Sequence, residues 1–114
     1  MQRASHQVYW NEHMGRYQIK VIRGRITHWP GIVTDSAEWF SWLQRLPSFA
    51  FQAKAGGHFT ARKERRRRGG AYWIAYRHIA GQLVKKYIGP QAQVTTTRLE
   101  EIASELATRA SPKP

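Results

Sequence analysis

At 114 residues the chain is long enough for one domain with a single core and has no room for a separate catalytic domain. It carries 19 Lys and Arg against 7 Asp and Glu, a net charge of +12, and so sets up a positive field that concentrates polyanions. Cysteine is absent, which removes disulfides, thiol catalysis and Cys-based zinc sites, while five Trp, five Tyr and four Phe are too many for a disordered chain.

Met1 to His6 has no apolar stretch behind it and does not read as a secretory signal. No apolar run approaches the roughly 18 residues that a membrane helix needs, so no membrane partner is expected. The expected location is the cytoplasm, at the nucleoid. The first element is Tyr17-Gln18-Ile19-Lys20-Val21-Ile22, which alternates polar and apolar residues up to Arg23-Gly24-Arg25. Ile26-Thr27-His28-Trp29 is its expected hairpin partner, ended by Pro30-Gly31. Asp35-Ser36-Ala37-Glu38 offers an N-cap acceptor with Glu at N3. Trp39, Phe40, Trp42, Leu43 and Leu46 follow at helical spacing, and Pro47 stops a helix of about ten residues whose aromatic side belongs in a core.

Phe49 to Lys54 reads as a strand, Ala55-Gly56-Gly57 as a turn and His58 to Arg66 as the return strand. After a turn at Gly69-Gly70, Ala71 to His78 is the clearest strand, rich in aromatic and β-branched residues. A tight loop at Ala80-Gly81 leads to a strand from Gln82 to Ile88, and Gly89-Pro90 closes the meander. Thr97-Arg98-Leu99-Glu100 reads as a second capping box. Behind it Leu99, Ile102, Ala103, Leu106 and Ala107 form an apolar stripe that the meander would cover.

The expected class is therefore α+β: an antiparallel meander of three to four strands packed on a C-terminal helix, preceded by a β-hairpin and a short aromatic helix. A single domain spans residues 1–110, with hairpin and short helix in 8–47, the basic meander in 48–90 and the amphipathic helix in 95–108. Residues 111–114 are expected to be a frayed tail.

Charge is unevenly placed. Between Trp39 and Leu99 Glu64 is the only acid, against twelve Lys or Arg. Alternation splits the clearest strand into a row of Tyr72, Ile74, Tyr76 and His78 and a row of Trp73, Ala75 and Arg77. The first row is bulkier and is expected against the C-terminal helix, leaving Trp73 and Arg77 outward. A two- or four-residue loop before the last strand adds Val84 and Lys86 to the Trp73 row; a three-residue loop adds Leu83, Lys85 and Tyr87. Arg62, Glu64 and Arg66 point to one side of their strand and Lys63, Arg65 and Arg67 to the other. The run Arg65, Arg66, Arg67 and Arg68 cannot fold inward and reads as a phosphate-gripping or minor-groove arm.

The five histidines lack metal-ligand spacing, no GxxxxGK loop occurs, and Glu100, Glu101 and Glu105 read as a solvated helix face. No enzyme, metal or cofactor is expected.

Seven segments together resemble a known region. They are Trp39-Phe40-Ser41-Trp42-Leu43, Ser48-Phe49-Ala50-Phe51, Phe59-Thr60-Ala61-Arg62-Lys63-Glu64, Arg68-Gly69-Gly70, Tyr72-Trp73-Ile74-Ala75-Tyr76-Arg77, Lys86-Tyr87-Ile88-Gly89 and Thr97-Arg98-Leu99-Glu100-Glu101-Ile102-Ala103. From Tyr9 to about Leu106 the chain is similar to the N-terminal region of bacterial transcriptional regulators of the LuxR/MalT type and to short proteins carrying that region alone. The helix-turn-helix and nucleotide-binding domain of those regulators have no counterpart here. Three antiparallel strands followed by a helix are also similar in architecture to AP2, methyl-CpG-binding and integrase arm-binding domains, which implies a sheet docked in the major groove.

The expected function is duplex DNA binding in transcriptional regulation or mobile-element biology. The expected contacts are Arg62, Lys63, Arg65, Arg66, Arg67, Arg68, Arg77, Lys85 and Lys86 on phosphates or guanine edges, with Trp73 as an apolar or stacking contact. RNA or single-stranded DNA is the alternative nucleic-acid partner. The other alternative is a protein-interaction module that docks a regulator or a second copy.

Overall fold

In a computed structural model that describes residues 5–110, a seven-stranded sheet forms one layer and two helices the other. The elements are β1 (His6–Asn11), β2 (Arg16–Arg23), β3 (Ile26–His28), α1 (Ala37–Gln44), β4 (Ser48–Gln52), β5 (His58–Arg65), β6 (Ala71–Ile79), β7 (Gln82–Gly89) and α2 (Thr96–Ala110). Across the sheet the order is β3-β2-β1-β4-β5-β6-β7. All neighbours are antiparallel except β1 and β4, which run parallel with Val8 opposite Phe51.

The α+β class and the C-terminal helix on the sheet are as expected. The meander has four strands, and the β2–β3 hairpin joins Tyr17–Ile22 to residues 26–28 as expected. The two are not separate, however: β1, which the sequence reading left unassigned, inserts between them and fuses them into one sheet. The expected tail at 111–114 lies outside the described residues.

Both helix starts differ by a residue or two from the expected boxes. Ser36, not Asp35, caps α1, its hydroxyl accepting from the Trp39 amide at 3.2 Å. Asp35 takes a left-handed φ of 66°, which an Asp tolerates, and turns its carboxylate to the first turn of α2. There Oδ1 accepts from the Thr96 amide at 2.8 Å and Oδ2 from the Thr96 hydroxyl. Thr95 rather than Thr97 caps α2, its hydroxyl accepting from the Arg98 amide at 3.3 Å. One acid thus ties the entries of the two helices together.

The β6–β7 connection is the two-residue turn Ala80-Gly81, with φ of 52° and 81°. Two successive positive φ values match the twist of a tight hairpin. The turn fixes the register that sequence left open: Arg77 faces Val84 and Ala75 faces Lys86. Val84 and Lys86 therefore share the Trp73 face, and Leu83, Lys85 and Tyr87 share the other.

The sheet's sidedness is the reverse of the expectation. Trp73, 1% exposed, and Ala75 point to the helices with Phe49, Phe51, Phe59, Ala61 and Ile88, while Tyr72, Ile74, Tyr76 and His78 face away. Bulk misled because the helix layer needs small partners. Ala61 and Ala75, neighbours across β5 and β6, are fully buried and let α2 settle on β5, β6 and β7. Gly57 serves the same approach: a Cβ there would lie 2.5 Å from the carbonyl oxygen of Ala103. Leu99, Ile102, Ala103 and Leu106 of α2 complete the core, as their spacing predicted. The Trp39 indole donates to the buried Val94 carbonyl at 2.8 Å, so burying that ring leaves no polar group orphaned. No helix among the described residues is long and apolar enough to cross a membrane.

Candidate nucleic-acid interface

With both helices on one side, the opposite face of the sheet is open, and its side chains follow from the strand register. One row across the sheet reads Lys20, Gln7, Ala50, Thr60, Tyr76 and Lys85. The next reads Gln18, Tyr9, Gln52 and His58, with the His78 and Leu83 pair on β6 and β7 also facing the trough. On the other side of the first lie Ser48, Arg62, Ile74 and Tyr87. Glu64 and Tyr72 form a last pair near the β5–β6 turn. Glu64 is the one acid that a described strand presents on this face.

Tyrosines and cations are interleaved here. The Arg62 guanidinium lies 5.8 Å and the Lys85 ammonium 5.6 Å from the Tyr76 ring centre. Arg66 sits 4.8 Å over Tyr72 and donates to the Tyr87 hydroxyl at 3.2 Å, and the Tyr72 and Tyr87 rings are 5.9 Å apart. On the same face, toward the β2 end of the sheet, Lys20 lies 5.0 Å over Tyr9, whose hydroxyl accepts from the Trp29 indole at 2.8 Å. Tyr76 donates to Glu64 at 2.7 Å, and that bond, more than burial, pushes its phenol pKa up. Glu64 thereby anchors the central ring among its cations. Between the Tyr9 and Tyr76 walls the face dips into a trough of about 690 Å³.

The ten expected contact residues divide three ways. Arg62, Arg66 and Lys85 are on the open face. Arg65, Arg67 and Arg68 are exposed at the β5–β6 turn, on its rim. Lys63, Trp73, Arg77 and Lys86 are on the helix side and are corrected accordingly. Trp73 is buried 5.3 Å from Phe49. Lys63 lies over Trp73 and donates to the Leu43 and Gln44 carbonyls at 2.9 and 2.8 Å, which satisfies the C-terminus of α1. Burial and the neighbouring Arg65 charge pull its pKa down. Lys86 pairs with Glu105 of α2 at 2.6 Å. Arg77 is half-buried beyond Ala75, with Nη1 enclosed and without a hydrogen-bond partner among the described residues. Its charge adds to burial in lowering the pKa of His58.

Sequence reasoning missed Tyr9, Lys20, Tyr72, Tyr76 and Tyr87. The available signal was the hydroxyl: a phenol at a sheet surface keeps its oxygen in water. Comparison with family models, with curated proteins and with solved structures found no match to this chain. The functional reading therefore rests on the open face itself.

Proposed function

We propose that the chain binds single-stranded nucleic acid, RNA or DNA, on the open face of its sheet. The observation that carries this reading is the set of tyrosine rings with Arg or Lys held over them on the one face that no helix covers. Bases stack on aromatic rings whatever their sequence, and cations beside the rings follow the phosphates. The net charge of +12 supplies long-range attraction to the polymer. Width argues against the expected docking in a major groove: seven strands at about 4.8 Å spacing span roughly 29 Å, against a groove about 12 Å wide. Duplex DNA is the second reading, favoured by the exposed arginines at the β5–β6 turn, which project where an arm would reach a minor groove. The resemblance to the regulator N-terminal region supports a regulatory setting for either.

Fluorescence anisotropy with labelled single-stranded RNA, single-stranded DNA and duplex of equal length tests the proposal. Single strands are expected to bind at least about tenfold tighter than duplex. With roughly five phosphates neutralised, log K should fall with log salt at a slope of about −3.5. Tighter binding to duplex transfers the function to the arginine turn. No shift of any probe at low salt overturns nucleic-acid binding altogether and leaves a protein-docking face.

A further inference from the structure

We infer that the trough between the Tyr9 and Tyr76 walls reads the identity of an unpaired base, so that binding is base-selective rather than indifferent to sequence. The inference rests on the single-strand reading above and deepens it. Its starting point is what the floor is made of. Ala50 sits at the centre with no bulk above it, flanked in register by Gln7 and Thr60 on neighbouring strands, and Gln52 lies two residues along β4. Tyr9 and Tyr76 stand three strands apart and one row offset, roughly 16 Å at the usual strand and residue spacings.

The polar groups on this floor are uncommitted. Elsewhere on the face such side chains have partners: Gln18 accepts from Tyr9 and Asn11, and Glu64 accepts from Tyr76. The side chains of Gln7, Gln52 and Thr60 form no hydrogen bond among the described residues. Each glutamine offers a donor pair and an acceptor in one plane, the arrangement that pairs bidentately with a base edge. Arg62, Arg77, His58 and His78 also line the trough, and Lys20 and Lys85 lie in register beyond it, while Gln7, Gln52 and Thr60 around Ala50 are uncharged and suit a neutral base. At about 690 Å³ the trough is the size of a small-ligand site and takes one nucleotide unit, not a length of polymer.

The division of labour is testable with short homopolymers of adenylate, cytidylate, uridylate and deoxythymidylate in the same anisotropy assay. The unmodified protein is expected to spread its Kd values across them by about tenfold or more, the effect of one good bidentate contact. The double variant Gln7→Ala/Gln52→Ala should compress the spread to within about threefold while the weakest homopolymer keeps its Kd. Ala50→Phe, which fills the trough from an open-face position, should do the same, and matched thermal midpoints establish that both variants fold. Equal Kd values for the unmodified protein, or a spread that survives both variants, overturns base reading and leaves the interface standing. Failure to bind any homopolymer sinks the interface and the inference with it.

Discussion

Replacing Trp73 and Tyr76, three residues apart on one strand, separates the two faces of the sheet. Trp73 is 1% exposed and lies between the Phe49 ring and the Lys63 stem, so Trp73→Ala removes a fully enclosed indole. Deleting a buried Trp to Ala costs about 3–5 kcal/mol, a large share of the roughly 5–15 kcal/mol that holds such a domain. At about 4 °C per kcal/mol in a chain of this size, the thermal midpoint should fall by roughly 12–20 °C. Tyr76 is half-buried on the open face and contributes one hydrogen bond to Glu64 and two cation–π contacts. Tyr76→Ala should cost about 1 kcal/mol of stability yet weaken single-strand binding by about 1–3 kcal/mol, the worth of a stacked base. Urea unfolding and anisotropy on the same preparations read both. If Tyr76→Ala unfolds the protein while Trp73→Ala stays folded and loses only binding, the assignment of the faces is wrong and the proposed interface falls with it.

Lys63→Met keeps the stem over Trp73 but leaves the Leu43 and Gln44 carbonyls without their donor; urea titration should show a loss of about 1 kcal/mol, with an unchanged Kd for nucleic acid. Gly57→Ala forces a methyl group toward the Ala103 carbonyl and should lift α2 from β5 at a cost of about 1–3 kcal/mol, measured by thermal melting. Acidification should move stability and binding in opposite directions. Burial, then the Arg77 charge, holds the His58 pKa below its usual value, so between the two values the unfolded chain binds a proton that the folded chain refuses. The stability from neutral His58 is present above about pH 6.5 and is lost as pH falls. Charging this open-face imidazole also adds a phosphate contact, so calorimetry from pH 7 to 5 should show a falling midpoint while anisotropy shows a lower Kd, and His58→Gln should reduce both slopes.

The four strands of the meander were legible almost to the residue, because glycines punctuate them and their aromatic and β-branched residues favour extended chain. The α2 stripe was legible for the same local reason, since spacings of three and four define one helix face. β1 was not: nothing within His6–Asn11 announces a strand, and its place is set by pairing with residues 50–52 and 16–21, of which the former lie far beyond any local window. The face assignment failed because alternation shows only that Trp73 and Tyr76 part company, not which of them meets the helix. That choice depends on Ala61 and Ala75 meeting across two strands, a fact of register. The segments expected to resemble the regulator region take in buried positions such as Trp39, Phe49, Trp73 and Ile102, and also Arg62, Tyr72, Tyr76 and Tyr87 of the open face. They mark the packing and part of the open face that carries the proposed chemistry alike.

The parallel joint between β1 and β4 has a kinetic meaning. Gln7 and Ala50 are adjacent in the sheet but 43 positions apart in the chain (50 minus 7), whereas each hairpin of the meander closes over a short turn. Closing the longer loop costs more chain entropy, so the meander is expected to organise first and the N-terminal hairpin to dock on it afterwards. The trough straddles that joint, with Gln7 and Tyr9 on one side and Ala50 and Gln52 on the other. A chain stalled before docking would still carry the arginine turn and would still attract polyanions, but its trough would lack Gln7 and the Tyr9 wall. Under the proposed function, any ligand that fills the trough binds only the completed sheet, and by mass action draws late-folding molecules into the native state.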